Sequence, residues 1–317
     1  METRRHFLEI RRLWLQGENE VKIILSRKGF DSTSGGMPSP IFPDGRMLSL
    51  PIPDKQSHIC YEEICGCESA TMGVLVEQLS SMPRTHRAHL DPDLSSQSIP
   101  RLNGWRPIFG QVGASEGHLQ NQHVGRGDVF LFFGLFRRIE ESPKGWRYIR
   151  GTRPIHALFG WLQVAGRIPV SSWPSTERWA LYHPHFVRSP HPSNVIYTSS
   201  KSLCLPNLPS NGIAGAGIFQ FYSPKLQLTD PKSIRPGRWL LPEWFNPEHR
   251  ASTLSFHGDA SRWETGKGGV FLSSVSRGQE FVLNCDDYPE AIPWLQSLVS
   301  ISKAMGSQIS SVTRRTG

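Results

Sequence analysis

The sequence predicts one α+β domain with a mixed or mainly antiparallel sheet, short helices and long loops. Short apolar, β-branched runs bounded by turn residues recur along the chain, which is typical of strands. The 25 prolines and 29 glycines among 317 residues favour many turns and loops. No internal repeat or linker-like stretch divides the chain. We therefore expect an extension at 1–20, a single domain at 21–303 and a flexible tail at 304–317.

The composition indicates a globular protein with an anionic partner. Apolar residues make up 38% of the chain and charged residues 20%, which fits neither a disordered protein nor a coiled coil. The net charge of +8 favours a nucleotide or nucleic acid. No stretch approaches the roughly 20 apolar residues of a membrane helix, and no signal-peptide pattern is present. We expect a cytoplasmic protein without a membrane partner, and we leave protein partners open.

The first predicted strand leads into a polar loop. Val21–Leu25 is a short apolar run that predicts a buried strand. Arg27, Lys28 and Asp31 follow it, and the serine- and glycine-rich residues 32–36 come next. Backbone N–H groups and cations at a strand end commonly hold phosphate or a polar substrate. We assign Arg27 and Lys28 to phosphate binding and Asp31 to catalysis, with a solvated turn as the alternative.

A hairpin and a cysteine-rich segment follow. Pro43-Asp44-Gly45 predicts a turn between Ile41-Phe42 and the apolar residues 47–50. Three of the five cysteines lie in the segment CYEEICGC. A structural zinc site normally has a second pair of cysteine or histidine ligands downstream, which the lone Cys204 and Cys285 do not form. We therefore predict reduced thiols, assign no metal ligands and leave the cofactor open.

The segment HLDPDL places His89, Asp91 and Asp93 at alternate positions. Alternate residues of an extended segment point to the same side, so one imidazole and two carboxylates would converge on a cation or on a reacting group. The alternative is a surface turn in which the aspartates satisfy their own backbone. We assign all three residues to a catalytic site.

The block from Gly104 to Arg138 predicts a helix and a buried strand. Ser115 is a suitable N-cap for a short helix. The apolar run from Val129 to Gly134 predicts a strand that is buried on both faces and pairs with a second strand at 155–164. Polar side chains before and on this helix are assigned to the site, His118 as catalytic and the following as substrate-binding: Gln111, Asn121 and Gln122. The helix, the Gly-Asp turn and the strand pair resemble part of a PUA-like barrel, a fold that includes readers of modified bases.

The C-terminal half adds further candidates and closes the core. His183 and His185 flank Pro184, so they would face one pocket as a base or as two metal ligands, or would each bond the backbone of a loop. A strand at 279–283 and a helix from about Glu290 follow. The apolar spacing of that helix predicts that it packs on the core.

Several phrases together resemble the nucleotide modification associated domain 3 family. They are KIILSRKGFDSTSGGMPSPIFPDGRMLSLPIPD, HLDPDL, GWRPIFGQVGASEGHLQNQHVGRGDVFLFFGLFR and HALFGWLQV, in a consistent order over roughly residues 21 to 300. The resemblance implies a bacterial or phage protein that is associated with base modification of nucleic acid or with conflict between phage and host. It implies no particular catalytic residues.

Three functional hypotheses remain open. The first is an enzyme that acts on a nucleotide or on a base in DNA. Its candidate catalytic residues are Asp31, His89, Asp91, Asp93 and His118, and its candidate substrate-binding residues are Arg27, Lys28, Gln111, Asn121 and Gln122. The second is a non-catalytic reader that stacks a flipped base on Trp105 or Trp161. The third is a structural partner in a defence system.

Overall fold

The computed structural model describes most of the chain. The described residues are 21–66, 71–188, 190–206, 212–276, 278 and 280–301. The extension expected at 1–20 and the tail expected at 304–317 lie outside these ranges. No helix in the described ranges is long and apolar enough to cross a membrane.

The described strands and helices alternate with long loops. The strands are β1 (Lys22–Arg27), β2 (Ser39–Ile41), β3 (Ile108–Gln111), β4 (Val129–Ser142), β5 (Gly145–Tyr148), β6 (Ile155–Pro169), β7 (Val195–Ser199), β8 (Ala216–Ile218), β9 (Arg238–Leu241), β10 (Trp263–Gly266), β11 (Gly269–Ser273) and β12 (Glu280–Asn284). The helices are α1 (Met72–Ser80), α2 (Gly113–Asn121), α3 (Pro184–Val187) and α4 (291–301).

Within the described residues, nine strands form one mixed sheet and three form a small second sheet. The main path runs β12-β1-β4-β6-β7-β3, with β2 and β5 paired to β4 and β8 paired to β6. Strand β4 is parallel to β1 and β2, whereas the other pairs are antiparallel. Strands β10, β11 and β9 form the second sheet, in that order. The α+β class and the mainly antiparallel sheet are thus confirmed, and the described strands of the main sheet do not close into a barrel.

The central strands follow from their apolar runs. The first six residues of β4 are all buried, because β1 and β6 cover its edges and core side chains cover both faces. The predicted pairing of β4 with β6 is confirmed as antiparallel. Leu295, Leu298 and Val299 of α4 lie in the larger core cluster, which confirms that this helix packs on the core. Complete burial of side chains of this kind contributes about 1.5–3 kcal/mol each to folding.

Two local predictions need correction. Helix α2 begins at Gly113 with Val112 as its N-cap, so Ser115 lies inside the first turn. The backbone of Val112 is still extended because it continues β3 directly. The strand predicted at 129–134 is longer than expected: β4 runs on to Ser142 and pairs with β5 in the polar hairpin predicted around residues 142–145.

Candidate functional site

Asp91 is the centre of a buried cluster of histidines. Its Oδ1 accepts the backbone N–H of Gly110 at 2.8 Å and lies 3.3 Å from Nε2 of His183. Its Oδ2 lies 3.6 Å from Nε2 of His89 and also 3.6 Å from Nε2 of His185. All four side chains are buried. One carboxylate oxygen therefore faces two imidazole nitrogens at distances longer than a hydrogen bond.

A hydrogen bond determines which nitrogen of His89 faces Asp91. Nδ1 of His89 lies 2.7 Å from Oδ2 of Asp54. An ionised carboxylate only accepts hydrogen bonds, so Nδ1 carries the proton in this contact. The same bond lowers the pKa of Asp54 to about 2. Burial disfavours the charged form of His89, but Asp54 and Asp91 raise its pKa above the ordinary value. In the neutral form, which a metal ligand requires, the lone pair of Nε2 points towards Asp91.

His185 is oriented in the same way. Its Nδ1 lies 2.6 Å from Oδ1 of Asn194, and Nδ2 of Asn194 donates to the backbone carbonyl of His185 at 2.8 Å. The second bond assigns the amide orientation, so the oxygen faces the ring and accepts from Nδ1. Nε2 of His185 therefore also presents a lone pair to Oδ2 of Asp91.

With both imidazoles in their neutral form, Nε2 of His89, Nε2 of His185 and Oδ2 of Asp91 are well placed to hold a cation. The ligand atoms of His89, Asp91 and His185 all lie within 4.8 Å of one another. Two ligands about 2.1 Å from one ion at a tetrahedral angle are about 3.4 Å apart, which is close to the observed 3.6 Å. Two histidines and one carboxylate are a common ligand set for divalent transition metals. The contacts of Nδ1 with Asp54 and Asn194 are those that orient metal-bound imidazoles.

His183 constrains the other oxygen of Asp91. Burial lowers the pKa of His183, which favours its neutral form. Its Nδ1 accepts the backbone N–H of His185 at 3.5 Å, so the proton resides on Nε2, towards Oδ1 of Asp91. Burial by itself would raise the pKa of Asp91, but its histidine neighbours, His183 first, lower it well below its usual value. Asp91 is thus an anion, and its Oδ2 is the oxygen that faces the two ligand histidines.

The fold assembles this cluster from segments that are distant along the chain. An antiparallel bridge between Pro53 and Ala88 brings the loop of Asp54 beside the loop of His89. Gly110 belongs to β3, which pairs with β7, and Asn194 directly precedes β7. His185 lies on α3, in the connection between β6 and β7.

The cluster lines a polar cavity of about 250 Å³. Among the described residues that line the cavity, only the histidines His89 and His185 have a ring. The lining residues are Arg27, Lys28, Gly29, Asp31, Ser34, Ile52, His89, Asp91, Gly110, Gln111, Val112, Ser115, His185 and Arg188. The expected substrate-binding residues Arg27, Lys28 and Gln111 and the expected catalytic residues Asp31, His89 and Asp91 therefore lie together.

Two of these charged residues stabilise the walls of the cavity. The guanidinium of Arg27 donates to the backbone carbonyls of Val275 and Ser276 at 2.9 and 3.1 Å. Oδ1 of Asp31 accepts the backbone N–H groups of Thr33 and Ser34, each at 2.7 Å. Asp31 thus satisfies backbone N–H groups of its own turn.

Glu280 accepts hydrogen bonds from two further residues that the sequence assigned to substrate binding. Its Oε1 accepts from Nζ of Lys28 at 2.8 Å and from Nε2 of Gln111 at 2.7 Å. The ammonium of Lys28 also lies 4.7 Å from the centre of the Phe109 ring. Lys28 and Gln111 thus tie the end of β1 and the end of β3 to the start of β12.

Asp93 is separate from the cluster. It is fully buried, and the guanidinium of Arg101 donates to its two oxygens at 2.6 and 2.7 Å. The hydroxyl of Tyr182 donates to the same carboxylate. The alternate positions of Asp91 and Asp93 therefore do not bring the two carboxylates to one ion, and Asp93 serves a buried ion pair.

The remaining candidates, on and just after α2, also lie outside the cavity lining. His118 contacts Oγ of Ser255 through Nε2 at 3.0 Å, and its ring packs on Phe256 with the centres 4.2 Å apart. Asn121 is exposed at the end of α2, and Gln122 is its C-cap residue. Neither amide lines the cavity.

Some cavity and cluster residues were not among the sequence candidates for the site. Gly110 and Asn194 carry no local motif, and Arg188 stands alone among polar loop residues. Asp54 was a candidate only as a polar position of the first family phrase. His185 had a signal, because the spacing of His183 and His185 around Pro184 was already recognised as one that offers two ligands. What the sequence lacked was the partner with which either histidine would act.

Comparison with known proteins identifies the family of the chain. Searches of curated proteins and of solved structures found no match. The family model described as nucleotide modification associated domain 3 matches residues 22–284, which include all the cavity-lining residues. The chain therefore belongs to the nucleotide modification associated domain 3 family.

Proposed function

We propose that this protein is a divalent-metal-dependent enzyme that acts on a nucleotide or on a nucleotide within nucleic acid. His89, Asp91 and His185 are the ligands in this proposal. The substrate enters the polar cavity that these residues line. Family membership supports the association with nucleotide modification, and the geometry supports the metal.

One observation carries the proposal. Nε2 of His89 and Nε2 of His185 each lie 3.6 Å from the same carboxylate oxygen in a buried site, while Nδ1 of each ring is bonded elsewhere. When both imidazoles are neutral, three electron-rich atoms face one another there, which is unfavourable without a cation. A divalent ion between them converts this repulsion into coordination, and three protein ligands leave positions open for water or substrate.

The bound ion would supply the chemistry that the side chains lack. It would polarise an oxygen of the substrate or activate a water molecule near neutral pH. Asp54 and Asn194 keep the two imidazoles in the correct tautomer. His183 holds the other oxygen of Asp91, so that the carboxylate binds the ion through Oδ2.

The geometry favours an enzyme over a reader. A reader needs an aromatic surface on which to stack a flipped base. Trp161 is buried in the core and donates to the carbonyl of Ala214 at 3.1 Å. Trp105 packs against the guanidinium of Arg101, 4.3 Å from its ring centre. Neither tryptophan lines the polar cavity.

The test combines metal analysis with nucleoside analysis. The full chain, purified without chelators, is analysed by inductively coupled plasma mass spectrometry for manganese, iron, cobalt and zinc. Nucleosides from DNA, RNA and the free nucleotide pool are then compared between cells that express the wild type and cells that express Asp91→Asn. We expect about one metal ion per wild-type chain and a changed nucleoside that is absent with the variant.

Asp259→Asn is the matched control. Asp259 is an exposed carboxylate that caps Ser261 and does not line the cavity. This variant should retain both the metal and the changed nucleoside. If the wild type holds no more metal than Asp91→Asn, even after incubation with each ion, the metal-dependent function is wrong. If the metal binds but no nucleoside differs in any pool, the proposed substrate class is wrong.

A further inference from the structure

Three cationic side chains line the polar cavity, and two of them are engaged with the protein. Arg27 donates to the carbonyls of Val275 and Ser276, and Lys28 forms an ion pair with Glu280 at 2.8 Å. The side chain of Lys28 is only 10% exposed, so this pair is largely shielded from water. These two residues therefore stabilise the cavity wall, to which each is anchored by hydrogen bonds.

Arg188 differs from both. Among the described residues its side chain makes no hydrogen bond, and the acid that it faces is Asp54, whose Oδ2 lies 3.7 Å from a terminal guanidinium nitrogen. Within the described part of the chain its Nε is buried without a partner, as is that of Arg27, but Arg188 has no hydrogen bond from its terminal nitrogens either. The side chain is one-third exposed and lines the cavity. A planar guanidinium with its donors unused is a strong receptor for an oxyanion, which it binds through two parallel N–H groups.

Arg188 lies beside the candidate metal ligands. The same oxygen of Asp54 that accepts from Nδ1 of His89 at 2.7 Å is the oxygen that faces Arg188. His89 and Arg188 therefore flank one carboxylate and line one cavity. An anion in this cavity can contact the ion at His89 and the guanidinium of Arg188 at the same time.

The charge balance shows why the ion is needed. The ionic side chains of the lining are Arg27, Lys28 and Arg188 against Asp31 and Asp91. Asp54 and Glu280 lie directly behind this lining and bond to it, so the acids outnumber the arginine and lysine side chains. A bare cavity therefore attracts an anion weakly, whereas a divalent ion adds two positive charges.

We infer that Arg188 and the metal ion together bind a phosphate group of the substrate. This inference rests on the proposed function and adds the chemical group that is recognised. A phosphate monoester has three strong acceptor oxygens, so one can contact the ion while others accept from the arginine. The hydroxyl-bearing residues Ser34 and Ser115 also line the cavity. Phosphate binding is consequently metal-dependent, and the ion binds first.

Isothermal titration calorimetry on the full chain tests this inference. The manganese-loaded protein and the chelator-stripped protein are each titrated with inorganic phosphate, a nucleoside 5′-monophosphate, a short oligonucleotide and the free nucleoside. We expect inorganic phosphate and the nucleoside 5′-monophosphate to bind the manganese-loaded protein. Their affinity should fall at least about tenfold when the metal is removed. A preference for the oligonucleotide would place a phosphodiester in the same subsite, and the free nucleoside should bind more weakly than its monophosphate.

Variants of Arg188 separate charge from shape. Arg188→Gln should weaken phosphate binding at least about tenfold. The phosphate affinity of Arg188→Lys should lie between those of the wild type and Arg188→Gln, because an ammonium keeps the positive charge but cannot donate two parallel N–H groups. Manganese affinity should remain within about twofold in both, because Arg188 is not a ligand in this arrangement. Arg147→Gln removes a 62% exposed arginine that does not line the cavity, and it should bind phosphate as the wild type does.

The outcomes distinguish the two proposals. A wild type that binds no metal contradicts the proposed function. A wild type that binds manganese, but whose phosphate affinity is unaffected by metal removal or by Arg188→Gln, contradicts only the present inference. If Arg188→Gln fails to fold, phenylglyoxal labelling of the wild type gives the answer by peptide mass spectrometry. Phosphate should then protect Arg188 but not Arg147, and equal labelling with and without phosphate overturns the inference.

Discussion

Gly110 lies directly against the imidazole of His185. A Cβ atom placed on Gly110 would stand 2.3 Å from Cδ2 and 2.5 Å from Cγ of that ring. Real Cβ atoms do not approach another heavy atom so closely, so only glycine allows His185 to lie on the backbone of β3. The N–H of the same residue donates to Asp91 at 2.8 Å. Gly110 thus sets the positions of two of the three candidate metal ligands.

The first prediction concerns this contact. Gly110→Ala should displace the ring of His185 and lower metal affinity at least about tenfold, measured by titration with manganese. Gly117→Ala is the matched control, because its Cβ would meet no atom within 4 Å. Gly117 lies in α2, so this control should stabilise the protein by up to about 1 kcal/mol. Unchanged metal affinity in a folded Gly110→Ala variant would remove His185 from the ligand set.

The second prediction separates Asp91 from Asp93. Asp91→Asn should lose the metal, because an amide oxygen is a much weaker ligand than a carboxylate. Asp93→Asn should keep the metal but lose about 3 kcal/mol or more of unfolding free energy, since it leaves the buried guanidinium of Arg101 without its counter-ion. Metal analysis and urea unfolding of both variants check this. Loss of metal from a folded Asp93→Asn variant would contradict the conclusion that Asp93 is not part of the metal site.

The third prediction concerns the contacts of Glu280. Its side chain is 1% exposed and pairs with Lys28, which is 10% exposed. Glu280→Gln should lower the unfolding free energy by about 3 kcal/mol, because the ammonium of Lys28 remains buried without a carboxylate. Glu141→Gln, at an exposed position of β4, should change stability by less than about 0.5 kcal/mol. If both variants lose a similar amount of unfolding free energy, the Glu280–Lys28 ion pair contributes no more to stability than an exposed glutamate does.

The fourth prediction is a pH dependence of stability. Burial lowers the pKa of His257 to about 4. Its Nδ1 donates to the carbonyl of Ser255 at 2.9 Å and its Nε2 accepts the N–H of Val275 at 3.2 Å, so a second proton would oppose that N–H group. The pKa of His257 is lower in the folded than in the unfolded protein. The contribution of the neutral imidazole to the unfolding free energy is therefore complete above about pH 6.5 and decreases as the pH falls towards 4.

The corresponding measurement is urea unfolding between pH 7 and pH 4. The wild type should lose up to about 3 kcal/mol over this interval through His257. The decrease of unfolding free energy with falling pH should be smaller in His257→Gln. His249→Gln, which replaces a histidine with a 90% exposed side chain, should leave the slope unchanged. An identical slope in His257→Gln and the wild type would show that the imidazole is already charged in the folded protein.

The local features of the chain could be read from its sequence. The apolar runs of β1, β4 and β6 predicted buried strands, and the spacing of Leu295, Leu298 and Val299 predicted a helix that packs on the core. These signals are local because side-chain periodicity follows directly from backbone geometry. The exact start of α2 was not predictable in this way, since Val112 ends an extended segment with no polar cap of its own.

The sequence by itself determined the α+β class, the family and the association of His89 and Asp91 with one polar loop. Only the tertiary structure decided which partners complete the site. Strand pairing and the loop bridges bring Asp54, Gly110 and His185 to Asp91 from distant segments, and they direct Asp93 towards Arg101 instead. No local rule encodes such convergence, because it depends on long-range packing rather than on the spacing of neighbouring residues.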